Sequence, residues 1–134
     1  GWALYCEEMM GEEGFYSTLE ERFFQRLALL WRGIRIVADV GLHTMGMSID
    51  DAVKLLVERV HFEPEQAEAE VRRYCAHPVY QVCYAVGRRE LRALRDDYRK
   101  AVGGDYSANR FHKEVLSYGG LPVSFMRWGL GLSD

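Results

Sequence analysis

Three polar residues sit at a spacing that could do chemistry. Arg35, Asp39 and His43 are each four residues apart, so on a helix they stack along one face. The Asp39 carboxylate can then reach a partner on either side. A carboxylate beside an imidazole fixes its tautomer and raises its basicity. That arrangement suits catalysis, metal binding or an ion-pair ladder at a helix end, and the spacing leaves all three open. A second signal is an absence of charge. Residues 74–87, Tyr-Cys-Ala-His-Pro-Val-Tyr-Gln-Val-Cys-Tyr-Ala-Val-Gly, carry no formal charge in a chain that is 28% charged. Such a stretch predicts a central, buried helix. It nevertheless holds Tyr74, His77, Tyr80, Gln81 and Tyr84, which need partners when buried. Hydroxyls that converge on a cavity can stabilise an oxyanion; hydroxyls in a core bond to backbone carbonyls.

The elements that must position these residues read as helices throughout. Residues 2–10 predict the end of a helix closed by Gly11 and Gly14. A long helix follows from Ser17 to Thr44, with Ser17 as N-cap and Glu20 closing a capping box. Its apolar positions Leu19, Phe23, Leu27, Leu30, Ile34 and Val37 mark one face of a 3.6-residue period. Ser48 and Asp51 open the next helix, Pro64 suits the first position of another that runs to Tyr74, and Pro78 starts one reaching Val102. Gly103-Gly104 ends that helix, Ser107 opens a short one to Tyr118, and Pro122 begins a final turn or two. No alternating strand pattern occurs. The expectation is a single all-α unit over residues 1–134, a bundle of five to seven helices with short loops.

Composition narrows the function. The 134 residues include 17 basic and 20 acidic side chains, for a net charge of -3. That balance argues against a nucleic-acid partner, which calls for a basic stripe. No apolar run approaches the roughly 18 residues of a membrane span. The chain opens without an initiator Met or a basic n-region. The expectation is a piece of a longer chain, cytoplasmic, with any signal peptide outside this stretch. Cys6, Cys75 and Cys83 make no disulfide scaffold and are expected as buried free thiols. His61 and His112 lack acidic or Cys/His neighbours at metal-ligand spacing, and no HExxH, Walker loop, dinucleotide fingerprint or GxSxG elbow is present. No metal site and no cofactor are expected within the chain itself.

The order of residues resembles one family. Gly1-Trp2-Ala3-Leu4-Tyr5-Cys6-Glu7 is similar to the "EGWALYxE" segment of the bacterial domain-of-unknown-function family 885. Arg32, Arg35, Asp39-Val40-Gly41-Leu42-His43 and Gly46 resemble its "RAxRLVxDxGLHxxGWS" run. Glu70-Val71, Arg73-Tyr74, Pro78, Tyr84-Ala85-Val86-Gly87 and Leu94-Arg95 resemble "EVxRYxxxPGQAxxYxxGxxxxxxLR". Phe111-His112, Val115-Leu116 and Gly120-Leu121-Pro122 resemble the closing "FHxxxLxxGxLP". Three departures bear on local shape: Val79 stands where the family has a Gly after the Pro, Met47 replaces the Trp of "GWS", and Gly33 replaces the Ala of "RAxR".

The resemblance implies a gluzincin-like zinc peptidase whose "HExxPGH" element lies well upstream. The Glu of "EGWALY", the implied third zinc ligand, would fall one residue before Gly1. Zinc is therefore expected in the parent protein and not in this chain, which is inactive alone and supplies the other wall of the cleft. By the same resemblance His43, Tyr74 and Tyr84 are the candidate catalytic groups. Arg73 is the candidate for holding a substrate carboxylate, and Arg35 and Asp39 are supports. The implied partners are the N-terminal remainder of the parent and a peptide substrate, with homo-oligomerisation possible. A non-enzymatic helical interaction or dimerisation module is the alternative.

Overall fold

The computed structural model describes residues 1–132, and its elements are helical. In chain order they are α1 (Trp2–Glu12), α2 (Leu19–Thr44), α3 (Ile49–Val60), α4 (Pro64–Ala76), α5 (Val82–Val102), α6 (Ala108–Ser117) and α7 (Val123–Gly129). A 3-10 turn at Gly103–Asp105 joins α5 to α6. The architecture is the expected all-α bundle.

Local chemistry sets most boundaries. The capping box of α2 lies one residue later than the sequence suggests: Thr18 accepts from the Glu21 backbone N–H and the Glu21 side chain reaches back. Ser17 is still used, because its N–H and hydroxyl both donate to the same Glu21 carboxylate. Ser48 caps α3 by accepting from the Asp51 N–H, Pro64 occupies the first turn of α4, and Ser107 caps α6. The helix expected from Pro78 starts instead at Val82, because residues 77–81 form a turn. At its centre Val79 has φ +71°. A β-branched residue is strained in that left-handed region, which suits glycine, and this is the position where the resembled pattern has Gly.

Two apolar clusters hold the bundle. One joins α2, α3 and α4 through Ala38, Ala52, Leu56, Val60, Val71 and Tyr74. The other joins α1, α5, α6 and α7 through Tyr5, Leu91, Leu94, Tyr98, Phe111 and Met126. Ion pairs fasten α1 to its neighbours: Glu7 to Arg32 on α2 at 2.7 Å, Glu8 to Arg88 and Arg92, and Glu12 to Arg95 on α5. At the start of α1 the backbone passes so close to α5 that a Cβ on Gly1 would lie 2.6 Å from the Gly87 Cα.

The apolar stripe of α2 is divided: Leu27 and Ile34 are half-buried, and Ile34 packs on the α2–α4 cluster. Leu19, Phe23, Leu30 and Val37 of the apolar stripe are exposed, and the buried positions are Arg35, Ala38, Asp39 and Gly41. The charge-free stretch is not a buried central helix. Only Tyr74 and Gln81 within it are buried, whereas His77, Val79, Tyr80 and Val86 are exposed. Cys75 and Cys83 are exposed thiols, not buried ones, and Cys6 is half-buried.

Candidate functional site

The polar residues gather where α2, α4 and α5 meet, between the two apolar clusters. Trp31 and Arg35, one turn apart on α2, both point into this junction. The Trp31 Nε1–H donates to the Tyr74 hydroxyl at 3.2 Å, which satisfies a phenol that is wholly buried. The Arg35 guanidinium lies 4.0 Å from the centre of the Tyr84 ring and 5.4 Å from that of Trp31. Only 4% of Arg35 is exposed. Its Nε and Nη2 have no hydrogen-bond partner, so the aromatic faces carry much of its stabilisation. Burial accordingly pulls the Arg35 pKa below the usual arginine value, although the charge survives.

Arg73 enters from α4. Its Nη2 and Nε donate to Glu70, at 2.5 and 3.3 Å, and its Nη1 donates to the Gln81 Oε1 at 3.4 Å. It also lies 5.3 Å from the Tyr74 ring centre. The bonded Glu70 raises the Arg73 pKa. Burial raises that of Tyr74, with Glu70 adding to it and Trp31 opposing, so Tyr74 stays a neutral phenol. Gln81 is fully buried and its Nε2 is unpartnered. On the solvent side the Tyr80 and Tyr84 hydroxyls are 3.4 Å apart, their rings edge to face. Sharing that hydrogen bond raises the Tyr80 pKa, which keeps its proton available for donation.

The ladder on α2 is thus only half of what the spacing suggested. Asp39 is buried and lies 3.7 Å from the His43 Nε2, an electrostatic contact longer than a hydrogen bond. Arg35 turns away from Asp39 towards Tyr84, and the Asp39 Oδ1 is left without a hydrogen bond. His43 sits two helical turns, about 12 Å along the axis, beyond Arg35. No hydrogen bond or ring contact joins it to Tyr74 or Tyr84 among the described residues. The junction therefore unites Tyr74, Tyr84, Arg73 and Arg35, and it leaves His43 at the end of α2.

A second polar cluster escaped the sequence reading. The Tyr5 hydroxyl and the His112 Nε2 are 2.7 Å apart, with Trp2 packed edge-on to the imidazole. Arg95, bidentate to Glu12, lies over the Tyr5 ring. The partners are 107 positions apart, so no local spacing could have signalled them. Several clefts lie elsewhere, two of them beside α1. A polar crevice of about 570 Å³ between α1 and α2 is lined by Glu7, Glu8, Glu12, Tyr16, Arg22 and Arg26. An apolar cleft of about 240 Å³ beside Gly1, Gly87, Leu116 and Met126 adjoins α6 and α7. Among the described residues no three His, Cys, Asp or Glu side chains gather to hold a metal, and no helix is long and apolar enough to cross a membrane.

Comparison with known proteins agrees with this fold. A solved structure of a candidate lipoprotein of unknown function from Shewanella oneidensis superposes with a TM-score of 0.84 at 30% identity over 95% of the chain. The match covers 23% of that protein, so the chain spans about a quarter of that relative's length. No protein of curated function matches. The model of the family described as "Bacterial protein of unknown function (DUF885)" matches residues 1–129, nearly the whole chain, and the chain belongs to that family.

Proposed function

We propose that this chain forms one wall of the substrate cleft of a larger zinc-dependent peptidase. The observation that carries the reading is the Tyr80–Tyr84 hydroxyl pair, 3.4 Å apart, backed by Arg35 and flanked by Arg73. Paired phenol hydroxyls at a solvent-facing edge are suited to donate to a carbonyl oxygen as it gains negative charge. Arg35 is a positioning residue, holding the Tyr84 ring from behind. The half-exposed Arg73 guanidinium is suited to a carboxylate, for which it would compete with Glu70. His43, lying apart from the tyrosines, would act on a different portion of a bound peptide.

Among the described residues no set fits a zinc ion, because no three His, Cys, Asp or Glu side chains gather. A metal would have to be held by residues outside this stretch, as the resemblance to gluzincins implies. The test is hydrolysis of a peptide library by the full-length, zinc-supplied protein, followed by Tyr84→Phe. Loss of the hydroxyl should lower kcat by about 10²-fold. A zinc-supplied protein that cleaves no peptide would sink the proposal.

The runner-up is a non-enzymatic helical interaction module. What favours it is the outward apolar stripe of α2. Turnover in the same assay decides against it.

A further inference from the structure

We infer that the outward face of α2 is the seat of a second helix, supplied by the part of the longer polypeptide that lies outside residues 1–134. The inference shares with the proposed function the premise of a longer chain, and it does not depend on peptidase activity.

In the C-terminal half of α2 two charged side chains are turned inward while apolar ones are left outside. Arg35 and Asp39 face the bundle, whereas Leu19, Phe23, Leu30, Val37 and Val40 face out. A long apolar stripe left outward on a helix marks a surface that another element covers. The stripe has a definite period. Leu19, Phe23, Arg26, Leu30, Gly33, Val37, Val40 and Thr44 step alternately by four and three, and every one of them is exposed. Residues 19–24 are exposed all round, but between Arg26 and Val40 the exposed positions are those of the 3.5-residue seam alone, the narrow stripe of a helix packed along a helix. It runs nearly the whole of α2, about 39 Å at 1.5 Å per residue. Helices α3 and α4 are each half as long and pack on the opposite side.

Gly33 strengthens the case. It lies in the middle of α2 with nothing within 4 Å of where its Cβ would be. Glycine in an exposed helix interior weakens the helix, and nothing in this chain requires it. A small residue at the centre of a seam is what lets another helix approach closely.

The seam also says what the occupant is. Arg26 is its one charged member, and the carboxylates that share its crevice are paired with other arginines: Glu7 with Arg32, Glu8 with Arg88 and Arg92, Glu12 with Arg95. A second copy of α2 would not supply a partner. Parallel pairing sets Arg26 against Arg26, and antiparallel pairing about the helix centre sets it against Val37. The occupant is therefore an amphipathic helix with apolar residues at 3.5 spacing and a carboxylate opposite Arg26. The similar solved chain has room for one: 77% of it, the remainder after the 23% matched, lies outside the matched region.

The experiment places a photo-crosslinking phenylalanine analogue at Leu30 or Val37 in the full-length protein, with Lys54, an exposed residue of α3, as control. The expected product is an internal crosslink to a peptide outside residues 1–134, with no doubling of mass. A doubled mass, a crosslink within residues 1–134, or a yield no higher than at Lys54 would overturn the inference. Gly33→Leu gives a second readout. A covered seam predicts a lowered Tm for the full-length protein, whereas a free surface predicts an unchanged or raised one.

Discussion

The Arg35 guanidinium stacks 4.0 Å from the centre of the Tyr84 ring while two of its own nitrogens bond to nothing. The ring face, and not the phenol oxygen, is the partner that holds the buried charge. Tyr84→Phe should therefore leave stability within about 0.5 kcal/mol of the parent. Tyr84→Leu, which removes the ring face, should cost about 2 kcal/mol. Urea denaturation of the three proteins checks this, and equal losses for Phe and Leu would show that the hydroxyl matters to the fold. If the first expectation holds, a loss of turnover in Tyr84→Phe reports on chemistry alone.

Val79 occupies a glycine's backbone conformation at φ +71°. A β-branched residue there costs about 1–2 kcal/mol, and glycine loses about 0.5–1 kcal/mol more entropy on folding than alanine does. The balance predicts that Val79→Gly stabilises the protein by about 0.5–1 kcal/mol. An unchanged or lowered midpoint of denaturation would contradict the turn geometry of residues 77–81.

Stability should also depend on pH through His112. Burial, and then the nearby Arg95, lower its pKa from 6.5, and burial raises that of Tyr5, so the bond joins a neutral phenol and a neutral imidazole. Because the folded value is the lower one, the unfolded chain binds the proton more readily. The stabilisation is complete above about pH 6.5 and drains away as pH falls through that value towards the folded pKa. Thermal melts at pH 7.5 and 5.5 should differ, and His112→Gln should flatten the slope across that window. An identical slope in the variant would remove His112 as its source.

Asp39 is a buried carboxylate on α2 with an unpaired oxygen. Asp39→Ala leaves His43 and solvent to fill a small gap, whereas replacement with Asn keeps the shape and removes the buried charge. Asp39→Asn should therefore hold or raise the midpoint of denaturation by up to about 1 kcal/mol. A loss above about 2 kcal/mol would show that the buried charge itself stabilises the fold.

Much of the fold was legible because helix ends are local chemistry. Ser48, Pro64 and Ser107 act through neighbours within one turn, so their roles show in the sequence. Facing is not local. The period of Leu19, Phe23, Leu30 and Val37 locates an apolar stripe, but which stripe meets this bundle depends on what else packs on the helix. The charge-free stretch misled for a related reason: Val79, Tyr80 and Val86 are apolar at the surface, where absence of charge does not imply burial. At the site, one-turn relations such as Asp39 with His43 were readable. The stack of Arg35 on Tyr84 and the bond of Tyr5 to His112 required the tertiary fold.

The division into two apolar clusters has a dynamic consequence. The helices α2, α3 and α4 share one cluster, α1 and α5–α7 the other, and between them lie Arg35 and Gln81 with unmet donors. A boundary held by polar contacts of modest worth transmits cooperativity less well than a shared core. Amide protons of α3, around Leu56, and of α5, around Leu94, should then exchange with solvent deuterium as separate opening units, each responding chiefly to substitutions in its own cluster.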